Sequence, residues 1–153
     1  MIYPINGHGR QAETKPNADP AYPIVMSTLD HLRISELMNQ TDGKEMRSVS
    51  LLEKKLRNAD VVVPQDIPEC IVTMNSQVLF LELGNQAVYG FTLVYPNSTS
   101  RQGDVSILSP VGAALLGLST GQETHWWSAK GRRFNLRVLE LVYQPEAAGL
   151  FSL

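Results

Sequence analysis

Cysteine is almost missing from this 153-residue chain, with Cys70 the single example. A lone thiol excludes an internal disulfide framework and every multi-cysteine zinc site. Long apolar runs are missing as well, and none approaches the roughly 20 residues that a membrane-spanning helix needs. The N-terminus lacks the basic-then-apolar build of a secretory signal. Nor is positive charge in excess: 13 Lys+Arg face 15 Asp+Glu, a formal net charge of −2. Proteins that grip nucleic acid through its phosphates present a basic face, so sequence-specific nucleic-acid binding is not expected. What remains, 43% hydrophobic and 18% charged residues, suits one folded domain with a small appendage. The composition leads us to expect a soluble cytoplasmic protein that engages no membrane.

Residues 1–24 are polar, punctuated by Pro4, Pro16, Pro20 and Pro23, and read as a tail or strap. Ser27 or Thr28 can cap a helix with Asp30 in its first turn and Leu29, Leu32, Leu37 and Met38 at roughly helical spacing. After a break at Thr41-Asp42-Gly43, a second stripe follows in Met46, Val49, Leu52, Leu56 and Ala59. Residues 25–63 thus make a short antiparallel helical hairpin, its second helix ended by Val61-Val62-Val63-Pro64. Each helix rises only about 20 Å.

From residue 68 to 149 the pattern is mostly that of an antiparallel sheet with one short helix, so the fold class is α+β. Gln77–Leu83 alternates, Gly84-Asn85 suits a two-residue hairpin turn, and the return strand sets Tyr89, Phe91, Leu93 and Tyr95 on one face. A short strand spans 105–108. Ser109-Pro110 then opens a helix, serine as cap and proline as first residue, and Gly117 supplies a left-handed stop. The last hairpin runs 123–127 and 133–143, with a shift of apolar parity near Val138 that a bulge would explain.

Reactive side chains form no catalytic set. His8, His31 and His125 have no second histidine or cysteine at ligand spacing, Cys70 has no basic neighbour, and no nucleophile elbow or phosphate loop is present. No enzyme, catalytic residue or cofactor is therefore expected. Asp42 and Glu45, between the two helices, could contribute two ligands to a shared divalent cation, or could simply be turn chemistry. The small residues of Ser109–Gly117 suit close packing on a sheet, and the exposed cap before them could equally form a docking surface. Lys130, Arg132 and Arg133 beside Trp126 and Trp127 read as a solvated hairpin tip or as a cationic contact for nucleic acid or an acidic protein.

Four stretches together carry a resemblance: Val72–Ser76, Thr92–Pro96, Ser109–Leu118 and Val138–Gly149. In this order they resemble the bacterial Rnk family, named as regulators of nucleoside diphosphate kinase, which shares an FKBP-like C-terminal domain with the transcription elongation factors GreA and GreB. The resemblance implies an N-terminal finger that enters the secondary channel of RNA polymerase and a domain that docks at the channel rim. Partner contacts would then fall on Leu108, Ser109 and Pro110, with Asp42 and Glu45 at the finger tip. Gre factors carry an Asp-x-x-Glu pair there for a catalytic magnesium ion, a spacing that Asp42 and Glu45 share. A finger this short falls well shy of the polymerase active centre, so the expectation is a monomeric binder without transcript cleavage. Where the Gre rim-docking step has an aspartate before Ser-Pro, this chain has Leu108. The FKBP-like fold also raises a second reading, a prolyl isomerase or peptide-binding module with a pocket of Tyr89, Phe91, Trp126 and Phe134. The family name raises a third, direct control of nucleoside diphosphate kinase.

Overall fold

Residues 3–5, 24–41, 47–98, 101–128 and 130–153 are described in the structure, a computed structural model of the chain. The first strand, β1 (Tyr3–Ile5), is followed by β2 (Val25–Ser27), which runs directly into helix α1 (Thr28–Gln40). Ser27 caps that helix, its Oγ accepting the Asp30 N–H at 3.0 Å and satisfying one of the donors that a helix start leaves unpaired. Helix α2 (Arg47–Asn58) leads into β3 (Asp60–Val62), which pairs in parallel with β2. The valines expected only to end the second helix therefore enter a ladder. Parallel strands need a crossover of a dozen or more residues, and the α1–α2 hairpin is that crossover.

A turn of 3-10 helix at Pro64–Asp66 precedes β4 (Gln77–Glu82), β5 (Ala87–Val94), β6 (Asp104–Ser106), α3 (Pro110–Leu115), β7 (Glu123–Trp127) and β8 (Arg133–Tyr143). The sheet runs β1-β5-β4-β8-β7, with β6 also on β5. Two features depart from the sequence expectation. Tyr3–Ile5 forms a strand antiparallel to β5 where a tail was expected, and β6 is parallel to β5 in a sheet expected to be antiparallel. Residues 6–23 lie outside the described residues.

The β4–β5 connection differs as well. Pairing ends at Glu82–Ala87, leaving four residues with Gln86 at φ 58° rather than a two-residue turn. The Glu82 carboxylate fills the gap, accepting the N–H of Gly84 at 3.0 Å and of Asn85 at 2.9 Å. Those two bonds explain how an acid sits buried while the leucines beside it stay partly open. The parity shift in β8 is a real irregularity: Phe80 faces Val138 while Leu79 faces Glu140, so Leu139 has no partner on β4.

The core joins both halves. Ile34 and Leu52 from the helices lie in one cluster with Val78, Phe91, Leu93, Leu115 and Val138. Leu37 and Met38 of the first helix pack against the core as their stripe suggests, but Ile34 is 0% exposed, whereas Leu32 is 55% exposed. Asp30 and Ile34, four residues apart, define the inner face. Truncating Ile34 to alanine is expected to cost about 3 kcal/mol, and Leu32→Ala less than about 0.5 kcal/mol, when unfolding is followed in urea. Equal losses would refute this orientation of α1.

Candidate docking site

The turn before α3 is built by two serines. Ser106 Oγ accepts the Leu108 N–H at 3.1 Å, and Ser109 Oγ donates to the Ser106 carbonyl at 2.6 Å. Ser109 Oγ also accepts the Gly112 N–H at 3.2 Å, and Pro110 takes the first helical position, as expected. Gly112 is required there, because a Cβ would collide with the Ser106 carbonyl oxygen. Gly117 adopts φ +81°, the left-handed stop. Of the residues assigned to partner contact, Leu108, Ser109 and Pro110 are all partly accessible, and Leu108 packs against the core. Asp42 and Glu45 lie outside the described residues.

Two buried polar side chains tie the helical hairpin to this turn and sheet, in roles the sequence does not announce. Lys55 of α2 donates from Nζ to the carbonyls of Ala114 at 2.7 Å and Leu116 at 2.8 Å, at the C-terminal end of α3. Carbonyls at a helix end are unpaired and carry the negative end of its dipole, which suits an ammonium group. Burial nevertheless pushes the Lys55 pKa down to about 7. Asp30 of α1 accepts the Met74 N–H at 3.1 Å and the Tyr95 hydroxyl at 3.1 Å. Burial, with help from the Glu146 charge, raises its pKa to about 6 against the opposing pull of those hydrogen bonds and Arg33. The same burial, with the Asp30 charge, pushes the Tyr95 hydroxyl far up. Lys55 does carry one sequence signal: three residues past Leu52 it falls on the buried face of α2.

Between α2, α3 and β7 lies a groove of about 630 Å³, mostly apolar, with Pro110 and Ala114 on its floor. Of the four aromatic residues expected to share a pocket, Trp126 alone lines it. Phe134 stacks on Trp126 at 4.5 Å between ring centroids, while Tyr89 and Phe91 each pack at 5.6 Å on Phe80. The aromatic set thus divides into two clusters. His31 contacts the Leu56 carbonyl through Nε2 at 2.9 Å, and the Cys70 thiol is exposed. Among the described residues no group of three or more His, Cys, Asp or Glu could hold a metal ion, and no helix is long and apolar enough to cross a membrane.

Comparison with known proteins bears on what this arrangement serves. Residues 67–143 match the sequence model of the family described as "Transcription elongation factor, GreA/GreB, C-term". The regulator of nucleoside diphosphate kinase of Escherichia coli strain K12 is 41% identical over 131 residues, which cover 85% of this chain and 96% of that protein. The chain belongs to the Rnk family. A solved prokaryotic transcription elongation factor GreA/GreB from Nitrosomonas europaea is 36% identical, covers 80% of this chain and 99% of its own, and superposes with a TM-score of 0.65. The GreA of Syntrophobacter fumaroxidans is 29% identical over 129 residues, covering 78% of this chain and 82% of that protein. The Rnk fold thus joins a GreA/GreB-type C-terminal domain to a helical hairpin of 13- and 12-residue helices.

The two buried groups make opposite predictions for stability against pH. Asp30 binds its proton more tightly when folded, so its contribution is greatest below about pH 4 and is lost as pH rises through about 6. Lys55 holds its proton less tightly when folded, so its contribution is full above pH 10.5 and is lost as pH falls through about 7. Asp30→Asn should flatten the acid slope of the urea-unfolding free energy, and Lys55→Met the alkaline slope. Lys55→Met should also cost about 1–3 kcal/mol at neutral pH by leaving two carbonyls unpaired. Unchanged slopes would contradict the assignment.

Proposed function

We propose that this Rnk-family chain is a non-enzymatic regulator of transcription that binds RNA polymerase at the rim of its secondary channel and does not stimulate transcript cleavage. The observation that carries the reading is the rigid Ser109-Pro110 step at the start of α3, braced by Ser106 and set beside a helical hairpin in a chain of Rnk sequence. Residues 68–149, with the β1 strand Tyr3–Ile5 added to their sheet, act as the anchor and residues 25–63 as the inserted finger. Relatives named as elongation factors or as a regulator support a role in transcription rather than catalysis.

Finger length argues for binding without cleavage. Helices of 13 and 12 residues rise roughly 18–20 Å, about half the reach attributed to Gre fingers. Asp42 and Glu45 then contact the channel without reaching the active centre, and a carboxylate that cannot reach the reacting phosphate contributes nothing to its cleavage. Leu108 offers no charge where the Gre docking step has an aspartate, and its side chain packs inward. Docking thus leans on Ser109 and Pro110.

The test is competition with a Gre factor for core RNA polymerase, followed by cleavage on backtracked complexes. Displacement of the Gre factor without RNA cleavage is expected. Pro110→Ser, which keeps the Ser109 cap, should weaken displacement roughly tenfold, about 1.4 kcal/mol. Cleavage that Asp42→Ala abolishes would overturn the length argument, and absence of any polymerase binding would overturn the whole reading.

A further inference from the structure

Six consecutive residues, Gln122 to Trp127, line the groove. Side chains of a strand alternate between faces, so an unbroken run along one cavity means that the cavity lies against the strand's edge. β7 ends the sheet and, among the described residues, pairs with β8 alone. The phase of that pairing follows from the bonds that flank it. Val138 N–H donates to the Gln122 carbonyl at 3.0 Å, and Ser128 N–H donates to the Arg132 carbonyl at 2.9 Å. Thr124 and Trp126 therefore exchange backbone bonds with β8, while Glu123, His125 and Trp127 turn their N–H and C=O groups outward. No backbone partner meets those outward groups among the described residues. Such a row of amides is a template for another strand.

Helix α2 forms the facing wall, presenting Ser48, Leu51, Lys55 and Asn58 at helical spacing. A slot between a helix and an open sheet edge is the geometry in which an extended peptide adds as a strand. Two further observations point to an occupant and to its charge. Ser48 Oγ and Trp126 Nε1, both on lining residues, are buried with no hydrogen-bond partner, whereas buried polar atoms are nearly always paired. At the rim, Lys54 is exposed and Arg47 sits over the Trp127 ring, 5.6 Å from its centroid. Among the described residues the single lining carboxylate, Glu123, is already paired with Arg137.

We propose that this groove binds an extended acidic segment of a protein partner as an added strand on β7. Its backbone pairs with Glu123, His125 and Trp127, its alternate apolar side chains enter over Ala114 and Leu118, and its carboxylates meet Arg47 and Lys54. A strand of five residues offers about 16 Å of edge, enough for four or five residues of the partner. The site does not rest on the polymerase reading, and the two are tested apart.

The probe is an acetylated, amidated hexapeptide of alternating glutamate and valine, titrated into the full chain and followed by amide chemical shifts and hydrogen exchange. Saturable shifts at Glu123, His125, Trp127 and the Trp126 indole N–H are expected, with slowed exchange of the three outward amides. His125→Pro removes an outward N–H while leaving the β7–β8 ladder intact, since proline is tolerated on an edge strand. It should abolish binding with the Thr124 and Trp126 amide shifts retained. Lys54→Glu should weaken binding several-fold. A peptide N-methylated at alternate positions, or one with lysine for glutamate, should not bind. No shift at millimolar peptide, equal binding of either control peptide, or indifference to His125→Pro would overturn the proposal. So would pairing of two copies of this chain through β7 in the absence of peptide.

Discussion

The Lys55 ammonium, buried between α2 and the end of α3 with two carbonyls as its partners, is the contact on which the relation of the two halves depends. A buried charge is costly unless it is held, and here it is held by oxygens that a helix end leaves unpaired and partly negative. The hydrogen bonds and the local dipole favour the charged amine, and burial opposes it. Moving α2 away from α3 would strip one side of its donor and the other of its acceptors together. Asp30 does the same on α1, with Met74 and Tyr95 as its anchors. Hairpin and sheet are thereby joined by polar contacts as well as by Ile34 and Leu52 in the shared core.

That joint also explains why a groove exists. Lys55 holds the C-terminal part of α2 down on α3, and Arg47 at its start stands over Trp127. Helix and edge strand are left facing each other across the intervening space, with the short α3 beneath them. Pro110 opens α3 in the proposed docking turn and also lines the groove. The two surfaces therefore lie side by side on one rigid element. Gly112 lets that element approach the Ser106 turn closely, since any Cβ there would strike backbone.

Local chemistry made much of the C-terminal half legible. Ser109-Pro110 is a cap and a first helical residue wherever it stands, Gly117 stops a helix through φ +81°, and β7 and β8 have the limits their alternation suggests. The proposed docking residues Leu108, Ser109 and Pro110 follow instead from the resemblance of this stretch to the Gre docking step. Elsewhere the governing interaction lies far along the chain. Tyr3–Ile5 becomes a strand because β5 offers it an edge, and Asp60–Val62 because Val25–Ser27 lies beside it. Leu32 belongs to an apolar stripe yet points to solvent, because Asp30 and Ile34 are the residues that reach the sheet.

The amino-acid sequence by itself determined the fold class, the hairpin ahead of the sheet, the capped start of α3 and membership of the Rnk family, since each rests on neighbours within a few positions or on ordered motifs. Tertiary structure alone decided that a lysine and an aspartate in the hairpin would be buried anchors, that the aromatic residues would divide into two clusters, and that β7 would leave an edge open beside α2. The reason is physical. Caps, turns and alternation are short-range and act wherever their residues occur. Burial of a charge and exposure of a strand edge depend on which distant surface arrives, and that is known only once the chain has closed on itself.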